Sequence, residues 1–162
     1  MKRLSDSQLT AWRLFLTLHR RLVDAIDRDL QQAGRLPLVS YDVLIELREA
    51  PDHRLRMAEL ADRVVLSRSG LTRLVDRLEG EGYLARDQVS GDRRGAYAVI
   101  TEQGVRALRE AWPIYARGIQ QYFAEALTAE EAEILAALLE KVASHFRAQG
   151  EAPNPPVARI KV

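Results

Sequence analysis

The residue types best placed for chemistry are Ser67, Arg68, Ser69, Thr72, Arg73 and Arg77, followed by Arg93 and Arg94 in a glycine-flanked loop. Guanidinium forks and hydroxyls match phosphates and base edges, and arginine does so through two parallel hydrogen bonds. At about 100° per residue, Leu71, Leu74, Val75 and Leu78 fall on one side of a helix and must face a core. Ser69, Thr72, Arg73 and Asp76 fall opposite, with Arg68 and Arg77 on the flanks. Hydroxyls and arginines thus gather near a helix N-terminus, where backbone amides also favour phosphate.

The elements around this helix explain how it is presented. Met57, Leu60, Ala61 and Val64 recur with helical spacing, Val65-Leu66 makes a turn, and Ser67 caps the next helix, which ends at Gly80 or Gly82. Tyr83 to Gln88 and Ala96 to Thr101 then read as two short strands joined by residues 89–95. Helix, sharp turn, helix and hairpin describe a winged helix-turn-helix, which sets one helix in a DNA major groove and a loop beside it. Arg93 or Arg94 can lie along the adjacent minor groove, whose negative potential attracts arginine. Phosphate repels Asp92, which is better suited to holding one of those arginines in a fixed rotamer. The same elements also admit a winged-helix module for protein-protein contacts, its arginines merely solvating it.

Long amphipathic helices flank the reader. Ser5 with Gln8 forms a capping box, and apolar residues recur from Leu9 through Trp12, Leu16, Val23 and Ile26 to Leu30. Phe15, Leu18 and Leu22 widen the stripe beyond what one neighbour covers, so this helix is expected to touch its own reader and a second subunit. Gly34 ends it, and a second helix from about Leu38 to Glu49 carries Tyr41, Leu44 and Leu47 inward. Leu55-Arg56 adds a short edge strand. Thr101 caps a fifth helix expected to reach about Ala126, with a heptad stripe from Val105 to Ala126 and a bend at Pro113. Thr128 with Glu131 opens a sixth helix. The tail, with Pro153, Pro155 and Pro156, is not helical. The chain therefore divides into an N-terminal dimerisation helix (1–36), a winged helix-turn-helix (37–101), C-terminal dimerisation helices (102–148) and a Pro-rich tail (149–162). The fold class is mostly α with a small β-hairpin wing.

Composition narrows the function. The chain has no cysteine, which removes disulfides, thiolate catalysis and thiolate metal sites together. A net charge of +1 is neutral on DNA binding, which needs a local basic face rather than a basic whole. No Gly-rich phosphate loop, nucleophile elbow or His-Glu-x-x-His pair is present, so no enzyme is expected. His19, His53 and His145 stand apart, which gives no metal site, and no cofactor is implied. No apolar run approaches the ~20 residues that span a bilayer, and the first residues lack a secretion signal, so a cytoplasmic protein without a membrane partner is expected.

The residues now resemble a known family. Arg56-Met57-Ala58-Glu59-Leu60-Ala61, the run from Leu66 to Glu79, Gly82-Tyr83-Leu84-Ala85-Arg86, Asp92-Arg93-Arg94-Gly95 and Ile100-Thr101-Glu102-Gln103-Gly104 are similar to the MarR (multiple antibiotic resistance regulator) family. Leu127-Thr128-Ala129-Glu130-Glu131 extends the match. Asp92, Arg94 and Thr101 fit the family's wing signature, and Ile100 stands where leucine is usual. The resemblance implies a homodimeric repressor of a pseudo-palindromic double-stranded DNA operator, released by a small, often aromatic or phenolic, acid. It puts the dimer base on the first, fifth and sixth helices, here through Leu9, Tyr122, Phe123, Leu135, Leu138, Leu139, Val142 and Phe146. On the family pattern, Arg94 enters the minor groove. Trp12, Phe15 and His19 on the first helix, Tyr41 on the second and Trp112 with Tyr115 on the fifth are candidates to line an effector site. A stripe of this spacing equally makes core or dimer interface. Tyr115 stands where many relatives carry histidine.

Overall fold

The computed structural model describes residues 3–64, 66–88 and 96–149. Ser5 opens α1 (Asp6–Gln32): its hydroxyl accepts from the Gln8 amide at 3.2 Å, and the Gln8 side chain accepts from the Ser5 amide at 2.9 Å. That exchange satisfies donors a helix end otherwise leaves open. α2 (Leu38–Glu49) begins at Pro37, which has no capping side chain. Asp27 of α1 supplies the cap, accepting from the Leu38 amide at 2.7 Å. A carboxylate also suits the positive end of a helix, so α1 is fastened to the start of the reader.

A single 3-10 turn (Pro51–His53) leads to β1 (Arg54–Arg56), α3 (Met57–Arg63) and α4 (Arg68–Gly80). Of the two glycines that the sequence offers as a stop, Gly80 is the last helical residue. Gly82 reverses the chain, at φ +79°. β2 (Leu84–Gln88) and β3 (Ala96–Ile100) then pair antiparallel, from Leu84 opposite Ile100 to Gln88 opposite Ala96. β1 adds to the other edge of β3, giving the order β1-β3-β2. Leu44, Leu47, Leu60, Leu71, Val75, Leu78, Leu84 and Ala98 are buried between the three reader helices and this sheet. Each such leucine contributes about 1.5–3 kcal/mol.

α5 (Glu102–Tyr122) is locked to the end of α4 by Thr101. The Thr101 hydroxyl donates to the Gly82 carbonyl at 2.7 Å and accepts from the Gly104 amide at 3.1 Å. A Cβ on Gly104 would stand 2.2 Å from the Tyr83 carbonyl oxygen, so the two segments meet at a distance only glycine permits. α5 packs on α1 and α2 and runs unbroken through Pro113. It stops short of the expected end at Ala126. The backbone leaves helical geometry at Phe123 (φ −132°, ψ −56°), and a 3-10 turn (Ala124–Ala126) carries the chain to Thr128. Thr128 and Glu131 form the reciprocal cap of α6 (Ala129–Arg147). Among the described residues, no helix is long and apolar enough to cross a membrane. The molecule is mostly helical, with its small sheet confined to the reader.

Candidate nucleic-acid interface

α4 owes its orientation to its inner face. Leu71, Leu74, Val75 and Leu78 are all buried, which turns Ser69, Thr72, Arg73 and Asp76 outward, as their spacing predicts. At its start, the Ser67 hydroxyl accepts from the Gly70 amide at 3.1 Å and lies 3.3 Å from the Ser69 hydroxyl. Thr72 donates its hydroxyl hydrogen to the Arg68 carbonyl at 3.0 Å. Its outward oxygen is thereby left as an acceptor, suited to the exocyclic amino groups of adenine or cytosine.

The arginines divide by tethering. The guanidinium groups of Arg68 and Arg73 make no hydrogen bond or ion pair among the described residues. Arg77 is held: Nη2 donates to the buried Ser40 hydroxyl at 3.0 Å, and Nε lies 4.0 Å from Glu81. Asp92, Arg93 and Arg94 lie outside the described residues.

Two groups that the sequence pattern did not single out position this surface. Arg86 on β2 donates to Asp76 through Nη2 and to Glu79 through Nη1 at 2.7 Å, while its own amide donates to Glu79 at 3.0 Å. These bonds tie α4 to the wing strand, and they explain an aspartate on an otherwise cationic helix face. Nothing local announces such a pairing, because the partners come from different elements. The second is Tyr97 on β3, beside the wing connection. Arg54 and Arg56 stand 5.0 and 5.2 Å from its ring centre, and Arg56 Nε donates to its hydroxyl at 3.0 Å. The signal for this group was the i, i+2 arginine pair flanking Leu55, which strand alternation puts on one face. Arg54 also approaches Asp52 at 3.8 Å and Asp87 at 3.9 Å.

The candidate ligand residues separate into two sets. Trp12, Phe15 and His19 form an exposed row on α1, with successive ring centres 6.4 and 6.3 Å apart. Tyr41 lies edge-on to Tyr115 at 4.9 Å, and Trp112 edge-on to Tyr115 at 6.1 Å, in the seam between α2 and α5. Tyr41 is only 1% exposed. Burial, with Tyr115 second, pushes its hydroxyl up to about 12, and that hydroxyl has no hydrogen-bond partner. Burial raises Tyr115 as well. Among the described residues, no ring contact joins the two sets, and no group of three or more His, Cys, Asp or Glu side chains is placed to hold a metal ion.

Leu9, Leu138, Leu139, Val142 and Phe146, from the expected dimer set, are exposed on α1 and α6, and Leu135 is half-buried. Tyr122 and Phe123 are also half-buried, and the Tyr122 hydroxyl donates to Asp29 of α1 at 3.0 Å. Tyr122 thus serves its own chain before any partner.

Comparison with known proteins agrees with this geometry. The MarR family profile matches residues 36–95. An uncharacterized HTH-type transcriptional regulator of Bacillus cereus is 36% identical over 110 residues, covering 68% of this chain and 71% of the relative. The transcriptional repressor MprA of Escherichia coli is 28% identical over 122 residues, covering 75% of this chain and 69% of MprA. The structure of Sco3205, a MarR family transcriptional regulator from Streptomyces coelicolor in complex with DNA, superposes with a TM-score of 0.82. It is 32% identical and 98% of each chain is covered.

Proposed function

The chain belongs to the MarR family of transcription regulators, and from that premise we propose that two copies pair and repress transcription by binding a pseudo-palindromic operator. The observation that carries the reading is the outer face of α4. Two untethered guanidinium groups, Arg68 and Arg73, flank the outward hydroxyl oxygen of Thr72 on a helix held rigidly from behind. Base readout needs that combination of free donors and acceptors on a fixed backbone. Ser67, Ser69 and Arg77 complete the proposed major-groove surface, and Arg93 or Arg94, with Asp92 to position it, is assigned to the minor groove.

Pairing is supported by apolar surface that one chain leaves in water. Trp12 on α1 is 58% exposed and Val142 on α6 is 67% exposed, each within a continuous apolar stripe. Patches of that extent mark interfaces, and closing them sets two α4 helices at a fixed separation. We place an effector at the α2–α5 seam, where Trp112 and Tyr115 are half-buried and Tyr41 is sealed behind them. An aromatic acid wedged there alters the angle between reader and base. MprA, a repressor by name, favours repression over activation.

A gel shift with DNA upstream of the chain's own gene, across a salt series, tests the core of this. Binding is expected to favour that DNA over random duplex and to weaken steeply with salt. A protein-contact module gives no shift at any salt. A thermal-shift screen of aromatic acids on wild type, Trp112→Phe and Trp12→Phe tests the effector seat. Stabilisation lost only in Trp112→Phe is the expected result.

A further inference from the structure

Two joints tie the reader to the frame. The first is the start of α5, where Gly104 sits against the Tyr83 carbonyl with no room for a Cβ. The second is the half-buried Asp27. On either side of it α1 is clamped to α5: a Cβ on Gly118 would stand 2.9 Å from Ile26 Cγ1, and Tyr122 donates to Asp29 at 3.0 Å. Asp27 itself reaches the reader, accepting from the Leu38 amide at 2.7 Å, while Gln31 donates to its other carboxylate oxygen and holds the rotamer. Gly104 and Gly118 lie about 20 Å apart along α5. Pro113 falls between them and has no amide to bond back to Arg109, which makes α5 alone a compliant strut. Arg35 in the connector pairs with Glu110 of α5 at 2.7 Å, but both side chains are exposed and water weakens the attraction. The seam between α2 and α5 is packed mainly by apolar side chains, whose attraction has no direction and permits sliding. A charge-assisted hydrogen bond is directional and does not.

We propose that Asp27 is a positioning residue for operator recognition: its bond to the Leu38 amide stops the reader from swinging on the frame, and so sets the half-site separation that a pair of readers accepts. The inference rests on the paired, DNA-binding reading above and adds to it a determinant that touches neither base nor phosphate. Pro37, at the N-cap of α2, carries no acceptor, although Ser, Thr, Asp or Asn at that place caps a helix locally. The cap comes instead from a different element, so it stabilises α2 only while α1 and the reader keep their relative orientation. One carboxylate thereby couples helix stability to reader placement. From the start of α2 the link continues to α4, since the buried Ser40 accepts from Arg77 at 3.0 Å.

Moving the cap separates the two roles. Wild type, Asp27→Ala and the double variant Asp27→Ala with Pro37→Ser are compared in the full chain, by circular-dichroism melts and by affinity for the upstream DNA. That duplex is used unaltered and with one or two base pairs inserted at the centre of the footprint. Each insertion moves the half-sites about 3.4 Å further apart and turns one by roughly a tenth of a revolution. Asp27→Ala is expected to lower Tm by roughly 2–4 °C, and Pro37→Ser to recover most of that loss by capping α2 from its own entry. Wild type should lose roughly 100-fold in affinity on insertion, where the second reader no longer reaches its half-site. Both variants should lose about tenfold or less, because a reader free to swing still engages. Should Asp27→Ala melt below the assay temperature, the double variant carries the comparison. The proposal is overturned if the double variant regains the wild-type insertion penalty along with its Tm, since the carboxylate then only caps a helix. It is equally overturned if Asp27→Ala keeps that penalty. Wild-type protein that ignores the insertions, or that does not prefer upstream DNA to random duplex, overturns the functional reading itself, an outcome read without either variant.

Discussion

The reader and the frame of this molecule are finished to different degrees. Between α2 and β3 almost every leucine is buried, and the outward cations divide into tethered and untethered groups. In α1 and α6 the reverse holds: apolar side chains from Leu9 to Phe15 and from Ile134 to Phe146 stand in solvent, and no residue of α6 is buried. Both regions have similar amphipathic sequence, so hydrophobicity alone does not distinguish them. What distinguishes them is whether the complementary surface lies on the same chain. The reader encloses its own core, whereas the frame leaves its apolar face open, which the proposed pairing would close with a second copy.

Disrupting the frame should have the largest effect. Val142→Asp combined with Phe146→Asp is expected to give monomers by sedimentation and to cut operator affinity by roughly 100- to 10,000-fold, the loss of linkage between two half-sites. The reader should keep its fold in that variant. Next is the reader core: Leu78→Ala removes a side chain with no solvent exposure and should cost about 2–5 kcal/mol in denaturant melts. Arg73→Ala touches neither core and should leave dimer and melt intact while costing about 1–3 kcal/mol of discrimination in competition gel shifts. Ser67→Ala removes the cap of α4 and should cost about 1 kcal/mol of stability. Tyr97→Ala comes last, at about 0.5–1 kcal/mol per exposed cation–ring contact, and should loosen DNA binding with no change in dimerisation. A Leu78→Ala protein that loses dimerisation before reader structure would contradict the division drawn here.

The same division governs how much was legible in the sequence. Caps at Ser5, Ser67, Thr101 and Thr128 were readable because a cap and its target amide lie within one turn. The inward face of α4 was readable because burial imposes a strict period. Contacts across elements were not: the cap that Asp27 gives α2 and the Arg86 link to Asp76 and Glu79 join residues that only the fold makes neighbours. The apolar stripe of α5 misled at its end. Side-chain periodicity continues to Ala126 while the backbone turns at Phe123, because a stripe records which face is dry and not where the helix stops. Tyr41 shows the same ambiguity at a single residue, an aromatic candidate for ligand contact that one chain already seals in its core.

Stoichiometry and affinity on the upstream DNA, measured together by sedimentation with labelled duplex, test the central claim most directly. Two copies per operator, held roughly 1,000-fold or more above random duplex at physiological salt, is the result this account predicts. A single copy per duplex, or equal affinity for both DNAs, would contradict it.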